Sequence, residues 1–175
     1  MMPLVREVSV DAGRAAVSDF RDFFDAEYRR LARALYLLTD DVAEAEDVAQ
    51  EAMVRMYERW ERVRRMDSPT GYLYRTAMNL NRSRLRKLVT NARRAVGTRQ
   101  DTSGDPAVAV EARDQVDRAL RVLTMAEREA LVLVEWMGLS PEEAGRVLGI
   151  RAVSVRVRLS RAKASVQRSL EESDE

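Results

Sequence analysis

The stretch LSPEEAGRVLGIRAVSVRVRL, residues 139–159, has the signals of two helices joined by a tight turn. Ser140 can cap the first helix, and Pro141 suits its first position because proline has no amide proton to leave unpaired there. Gly149 is suited to the left-handed residue that ends such a helix, so the turn is predicted to follow it. An apolar face at helical spacing is formed by Ala144, Val147 and Leu148.

The second helix is predicted to begin between residues 152 and 154. Its buried stripe would consist of Val155, Leu159, Ala162 and Val166, and its other face of Arg156, Val157, Ser160 and Arg161. Between Arg146 and Arg168 the chain has seven bases and no acid. A basic second helix after a turn that contains glycine is typical of a helix-turn-helix, which places this helix in the DNA major groove.

Length and composition predict an all-α protein of one domain or two small ones. The chain has 175 residues, of which 46% are hydrophobic, with only 7 glycines and 4 prolines and no alternating β-branched runs. It has no cysteine and no histidine. Disulfides, zinc fingers, thiol catalysis and histidine acid–base chemistry are therefore excluded. The sequence has no visible constellation of metal ligands or of a nucleophile with its base, so an enzyme and a metal or cofactor site are not expected.

Charge is segregated along the chain although the net charge is only +1. Residues 38–51 hold six acids and no base, whereas residues 55–94 hold twelve bases against three acids. Such blocks predict two kinds of partner surface, one basic and one polyanionic. The first twenty residues lack the apolar run of a signal peptide, and no stretch approaches 18 apolar residues, so a cytoplasmic protein without membrane insertion is expected.

The amino-terminal part is predicted to be a mobile tail, residues 1–17, followed by helices over residues 18–38 and 41–65. Thr39 or Asp40 is the expected cap of the second helix. One face of that helix is apolar (Val42, Ala45, Ala49, Ala52, Met56 and Trp60), and Asp47, Gln50, Glu51 and Val54 lie around the other side. That polar side has two interpretations, a solvated face or a protein-docking face, and periodicity alone leaves both open.

A third helix is predicted over residues 70–89, with Leu73, Ala77, Leu80 and Leu88 as its buried stripe. A neighbouring stripe combines aromatic, amide and guanidinium groups: Tyr72, Arg75, Asn79, Arg82 and Arg86. Rings stack on unpaired bases and arginines bind phosphate, so this face can contact DNA. In the alternative interpretation Tyr72 and Tyr74 are core rings and the arginines are merely solvated. The basic loop before the helix (Arg62, Arg64 and Arg65) favours nucleic acid.

Residues 91–112 are predicted to be a flexible linker, because Gly97, Gly104 and Pro106 interrupt any period. Fully extended, it would reach roughly 75 Å. A second, four-helix domain follows over residues 113–170, with Thr124 and Glu127 forming a capping box and Leu131, Val134 and Met137 facing inward. Residues 171–175 form an acidic tail that is expected to be disordered.

Three segments resemble bacterial RNA polymerase sigma factors of the extracytoplasmic-function group, in the style of an actinobacterial subgroup. DVAEAEDVAQEAMVRMYERW resembles the segment that binds core polymerase, and SPTGYLYRTAMNLNRSRLRK resembles the segment that follows it. LTMAEREALVLVEWMGLSPEEAGRVLGIRAVSVRVRLSRAKASV resembles the promoter-reading helix-turn-helix. Their order and the short chain resemble this group, which has only two domains.

The resemblance implies partners and roles. The domain over residues 18–90 would bind core polymerase through Asp47, Gln50 and Glu51 and capture the melted −10 strand. The residues implied for the −10 element are Arg62, Arg64, Arg65, Tyr72, Tyr74, Arg75, Asn79, Arg82 and Arg86. Those implied for the −35 element are Arg151, Ser154, Arg156, Val157, Arg158, Ser160 and Arg161. The implied partners are the β′ clamp and β flap of core polymerase, promoter DNA and an anti-sigma factor.

Two alternatives to this function are open from sequence. A stand-alone helix-turn-helix regulator would account for the carboxy-terminal domain and leave residues 41–87 unexplained. A sigma-like decoy that sequesters an inhibitor would need no basic face on the third helix, so the arginines of that helix argue against it.

Overall fold

The structure is a computed structural model that describes residues 10–94 and 118–173, with side chains described for residues 19–90 and 118–171. Both ranges are helical without a strand, as predicted. The elements are α1 Val10–Thr39, α2 Val42–Glu58, α3 Trp60–Val63, α4 Pro69–Arg94, α5 Met125–Leu131, a π-helix Val132–Trp136, α6 Pro141–Leu148 and α7 Ala152–Ser173. A further helical turn covers residues 118–121.

Helix α1 begins at Val10, well before the predicted start at residue 18. Residues 10–17, which were predicted to belong to a mobile tail, are helical, and residues 1–9 lie outside the described residues. The predicted apolar face of α1 is confirmed. Leu31, Leu35 and Leu38 are buried, while Phe20, Phe23 and Phe24 are partly buried against the core.

The second predicted helix is divided in two, because the backbone turns at Arg59, whose φ is −116° and ψ is 12°. Its cap is Asp41, which accepts a hydrogen bond from the amide of Glu44 at 3.0 Å. The expected caps, Thr39 and Asp40, are wrong; Asp40 has a positive φ of 57° and only leads into the helix. Trp60 then packs against the rings of α1, with its centroid 5.3 Å from that of Phe20.

Helix α4 is longer than predicted and continues to Arg94, into the predicted linker. The rest of that linker lies outside the described residues. Ser68 stabilises the start of α4, since its hydroxyl accepts from the amide of Gly71 at 3.0 Å. Leu73, Ala77 and Leu80 are buried as predicted, but Leu88 is 60% exposed and does not belong to the core. The end of α4 extends beyond the helices that cover its middle.

The second domain contains a π-helix that shifts its apolar faces. In a π-helix each turn holds an extra residue, so residues that an α-helix would place on one face rotate apart. Met137 is buried as predicted, but Leu131 and Val134 are only partly buried. Ala130, Val132 and Leu133 are buried instead.

The carboxy-terminal helix runs further than expected. Helix α7 continues to Ser173, so residues 171–173 of the predicted acidic tail are helical. Residues 174–175 lie outside the described residues. Within α7, Val155 and Ala162 are buried, and Leu159 and Val166 are partly buried, which confirms the predicted stripe.

The two domains pack against each other and share one hydrophobic core. That core joins Leu31, Leu35 and Leu73 of the first domain to Leu133 and Leu148 of the second. Helix α4 packs against α6, and α1 against α5 and the π-helix. The sequence predicted two domains but gave no sign that they would pack together, because periodicity does not show which apolar faces meet.

Candidate nucleic-acid and protein interfaces

The helix-turn-helix has the local geometry that its sequence predicts. A reciprocal capping box begins α6: the Glu143 amide donates to the Ser140 hydroxyl at 3.2 Å, and the Ser140 amide donates to the Glu143 carboxylate at 2.8 Å. Hydrogen bonding to Ser140 lowers the pKa of Glu143, and the bond from the Ser140 backbone amide has a larger effect than the bond from its side chain. Gly149 ends α6 with φ 70° and ψ 33°, the left-handed conformation that its position predicts.

Gly145 has a second steric role in this motif, which the sequence analysis missed. A Cβ at this position would lie 2.8 Å from the carbonyl oxygen of Ile150 and 3.4 Å from the amide nitrogen of Ala152. Both atoms belong to the turn that leads into α7, so the two helices can approach closely only if residue 145 has no side chain. The visible signal was a glycine inside an apolar helical pattern.

Helix α7 presents a basic and partly apolar face to solvent. The four residues predicted to face the groove, Arg156, Val157, Ser160 and Arg161, are all exposed. Arg151 is exposed as well, while Ser154 and Arg158 are partly buried and lie closer to the body of the domain. Arg156 forms an exposed ion pair with Glu142 of α6. A DNA ligand would therefore compete with a carboxylate for this guanidinium group.

The acidic face of α2 is partly neutralised by an arginine of α4. Asp47 and Gln50 are exposed, and Glu51 is partly exposed. Arg84 reaches across from α4 and bonds to Glu51 at 2.9 Å and to Glu44 at 3.2 Å, with Asp47 at 4.0 Å. The hydrogen bond from Arg84 lowers the pKa of Glu51, with a further contribution from Arg55.

The face also has exposed apolar groups. Val54 and Tyr57 are both more than half exposed on α2, although they are large and apolar enough to be buried. A protein-docking surface commonly combines such groups with charged residues around them. These side chains thus extend the surface that the sequence predicted from Asp47, Gln50 and Glu51.

Tyr74 is a core residue and not part of an exposed DNA-binding face. Its side chain is 1% exposed, and its hydroxyl donates to the carboxylate of Glu27 at 2.6 Å. Burial raises the pKa of Tyr74. The buried side of α4 is wider than the predicted stripe, because Tyr74 and Met78, four residues apart, are buried beside it. Of the two interpretations that the sequence left open for Tyr74, the core ring is the one that this structure has.

Tyr72 lies at the surface and is oriented by an arginine. Its ring is partly buried, and its hydroxyl accepts a hydrogen bond from Arg59 Nη1 at 2.8 Å. That bond raises the pKa of Arg59. Arg59 was not among the predicted site residues, because it was placed within a continuous helix rather than at the turn between α2 and α3.

The other residues predicted for the −10 element are divided between solvent and the second domain. Arg62, Arg75, Asn79 and Arg86 are exposed. Arg64 and Arg65 are exposed as well and pair with Glu61, at 3.2 and 3.8 Å. Arg82, in contrast, points to the second domain, where it binds Glu129. The hydrogen bond with Glu129 raises the pKa of Arg82.

A cleft of about 400 Å³ lies where α6 meets the beginning of α4. Tyr72 and Arg75 line it from the first domain, and Glu143 and Arg146 from the second. In residues 10–94 and 118–173 the structure contains no group of three or more acids that is placed to hold a metal ion. No helix in the same ranges is long and apolar enough to cross a membrane.

These features define a class of protein that reads DNA through a helix-turn-helix and carries a second, helical domain with an acidic face. Comparison with family models refines this class. The sigma-70 region 2 model matches residues 23–90, and the sigma-70 region 4 model matches residues 113–166.

Relatives match along most of the chain. The RNA polymerase sigma-E factor of Streptomyces avermitilis is 32% identical over 165 residues, which is 90% of this chain and 88% of the relative. The ECF RNA polymerase sigma factor SigM of Mycobacterium tuberculosis is 28% identical over 151 residues, 86% of this chain and 76% of the relative.

A solved structure has the same fold. The sigma factor RpoE of Bartonella quintana, in complex with the anti-sigma factor NepR, superposes with a TM-score of 0.77 at 22% identity, over 87% of this chain and 97% of that one. The chain belongs to the sigma-70 family of RNA polymerase sigma factors, in the extracytoplasmic-function group. It is thus a non-enzymatic initiation factor that binds core RNA polymerase and directs promoter-specific transcription.

Proposed function

We propose that the two halves of this sigma factor have separate tasks on the promoter. A domain over residues 18–90 docks on the β′ clamp and captures the melted −10 strand, and a domain over residues 113–170 contacts the β flap and reads the −35 element as duplex. The observation that carries the proposal is the exposed face of α7, which displays Arg156, Val157, Ser160 and Arg161 beside one another. An α-helix with such a face fits the major groove.

The chemistry of α7 supports base reading as well as phosphate binding. Arginine can donate two hydrogen bonds to the O6 and N7 atoms of guanine, and an apolar side chain such as Val157 can contact the methyl group of thymine. Arg151 is exposed, while Ser154 and Arg158 lie nearer the body of the domain, and all three are proposed to contact phosphates or to support the helix. Two arginines and one valine on one face favour a site that contains both guanine and thymine.

The first domain has the features that strand capture requires. Unpaired bases stack on aromatic rings, and extruding a base costs a few kcal/mol that such stacking offsets. Tyr72 is held at the surface by Arg59, with Arg75 and Asn79 exposed on the following turns of α4. Arg62, Arg64, Arg65 and Arg86 add positive charge on either side, and they are proposed to bind the phosphate backbone. Because of its burial, Tyr74 is proposed to support this surface from beneath.

Docking on core polymerase is proposed for the acidic face of α2. Asp47, Gln50 and Glu51 are accessible there, with Val54 and Tyr57 as adjacent apolar groups. Replacing Asp47 and Gln50 together by Ala should weaken binding to core polymerase by about tenfold or more, as for residues at the centre of an interface. A pull-down with purified core enzyme measures this effect.

Asp25→Ala is the matched control for this test, because it also removes one exposed carboxylate, from α1. The control should bind core polymerase like the unchanged protein. If the double variant bound equally well, the docking role of this α2 face would be excluded. Run-off transcription from a promoter library then tests the function of the whole chain.

We also propose that an anti-sigma factor regulates this sigma factor and that it acts in the cytoplasm. The Bartonella structure holds a sigma factor with an anti-sigma factor, and so does the structure of CnrH with the cytosolic domain of CnrY, which superposes with a TM-score of 0.65 over 92% of this chain. A protein that binds core polymerase and promoter DNA acts where those partners are. Co-purification from the native host, followed by identification of the bound proteins, tests both proposals.

A further inference from the structure

Arg82 and Glu129 form a buried link between the two domains. The guanidinium group of Arg82 donates from Nε and Nη2 to the two carboxylate oxygens of Glu129, at 2.7 and 2.6 Å. Glu129 is only 2% exposed, and Arg82 also donates from Nη1 to the carbonyl oxygen of Leu148 at 3.3 Å. A bidentate arginine–carboxylate pair of this geometry is among the strongest hydrogen-bonded contacts in proteins.

Other arginines extend the same seam between the domains. Arg30 of α1 donates to the carbonyl oxygen of Met137 at 2.5 Å. Arg128 of α5 donates to the carbonyl oxygen of Leu38 at 3.4 Å. These bonds join the end of one domain's helix to a guanidinium group of the other, beside the apolar contacts that the two domains share. When the domains separate, water can hydrogen-bond to the freed guanidinium and carboxylate groups, which offsets part of the loss of their mutual bonds.

The closed arrangement removes part of the −10 surface from solvent. Arg82 is one of the residues proposed for the −10 element, and here its Nε and Nη2 donors are taken up by the Glu129 carboxylate and are not free for a phosphate. Helix α6 also lies against the beginning of α4, so that Tyr72 and Arg75 line a cleft rather than an open face. A single strand approaching α4 would therefore meet a carboxylate and a helix of the second domain.

The distance between the two promoter elements also indicates that the contact between the domains must break on the promoter. Two turns of DNA separate the elements by about 70 Å. Arg82 and Glu129, in contrast, are in direct contact at 2.6 Å. One chain cannot hold this contact and place its two domains on both elements simultaneously.

We propose that the Arg82–Glu129 pair is an intramolecular latch: it holds this sigma factor in a closed form whose −10 surface is partly covered, and it must break when the promoter complex forms. The proposal rests on the proposed −10 role of α4. Glu129 acts in the closed form as a substitute for phosphate, and the partner that opens the latch is core polymerase together with promoter DNA.

The latch can be tested by measuring the distance between the domains in the full chain. Because the sequence has no cysteine, Glu58→Cys in α2 and Ala164→Cys in α7 provide two unique positions for fluorescent dyes, and both residues are exposed. Glu129→Gln removes the charge of the latch and keeps its shape. We expect this variant to show lower energy transfer than the parent, because the closed form becomes less populated.

Two further variants separate the latch from a folding defect. Exchanging the partners, Arg82→Glu with Glu129→Arg, should restore energy transfer toward the parent value. Lys87→Gln, which removes an exposed charge from the same helix, should leave it unchanged. Energy transfer that is the same in Glu129→Gln and in the parent would overturn the latch.

Promoter binding by the reconstituted holoenzyme tests whether the closed form inhibits the sigma factor. A protein whose competent form is only partly populated binds more weakly by that fraction, so Glu129→Gln should bind a promoter fragment about three- to tenfold more tightly. Reduced energy transfer with unchanged promoter binding would overturn the claim that the closed form inhibits. A failure of the −10 role itself would be distinguishable, because Tyr72→Ala would then leave promoter opening unaffected.

Discussion

The two helices proposed to contact DNA differ in what covers them. Helix α7 exposes Arg156 and Arg161 to solvent, and its ion pairs to other helices, Arg156 with Glu142 and Lys163 with Glu135, lie at the surface. Helix α4 places Arg82 against a buried carboxylate and lies partly under α6. The difference indicates that the face of α7 proposed to read the −35 element is accessible in the free protein, whereas the surface of α4 proposed for the −10 element is partly covered by the second domain. Opening of the promoter would thereby be coupled to docking on the polymerase.

The largest effect is expected from Gly145→Val, which disrupts the packing of α6 against the start of α7. The added side chain would have to displace the backbone of Ile150 and Ala152, so the free energy of unfolding should fall by about 3 kcal/mol. Urea denaturation measures it. Arg146→Ala, the exposed neighbour, is the control, and a midpoint that stays the same in Gly145→Val would contradict the close approach of the two helices.

A smaller effect is expected at the exposed face of α7. Arg156→Ala and Arg161→Ala should each cost about 1–3 kcal/mol of promoter binding and relax the choice of base at one position of the −35 element, if they read bases. Binding to a library of −35 sequences measures this. Uniform weakening across the library, with a shallower salt dependence, would instead assign them to phosphates.

Tyr74→Phe tests how much the buried hydroxyl of Tyr74 in α4 contributes to stability. Removing the hydroxyl leaves the Glu27 carboxylate without its 2.6 Å donor, which should cost about 1–2 kcal/mol of stability. Tyr72→Phe, which loses only an exposed bond to Arg59, should cost less. Thermal unfolding of the two variants measures the loss of stability in each. An equal loss would contradict a stronger stabilising role for the buried Tyr74 hydroxyl than for the exposed Tyr72 hydroxyl.

The smallest effect concerns pH. Because Arg84 lowers the pKa of Glu51 in the folded protein, this carboxylate adds stability above the ordinary glutamate pKa, and the contribution is lost as pH falls through the lowered value. Arg84→Leu should raise the pKa of Glu51 toward its ordinary value. Carboxyl carbon NMR across an acid titration measures the shift, and an unchanged pKa would exclude Arg84 as the cause. Arg55→Leu is the comparison variant and should have a smaller effect.

Local signals explain which parts of the fold the sequence predicted well. The capping boxes at Thr124 and Ser140 and the left-handed Gly149 depend on neighbours within a few residues, so they are visible in the sequence. The turn at Arg59 and the π-helix were missed. Both lie where the chain packs against α1, and propensity carries no information about such tertiary packing.

By itself, the sequence determined the helical class, the helix-turn-helix and the exposed face of α7, because apolar periodicity and caps act over one or two turns. Only the tertiary structure decided that Tyr74 is a core ring, that Arg84 reaches the acids of α2, and that Arg82 binds Glu129, 47 residues away. A basic stripe has the same pattern whether its arginines meet solvent, phosphate or a carboxylate. The partner of each guanidinium group depends on how helices that are distant in sequence pack together. Burial then strengthens the electrostatic attraction between the two groups.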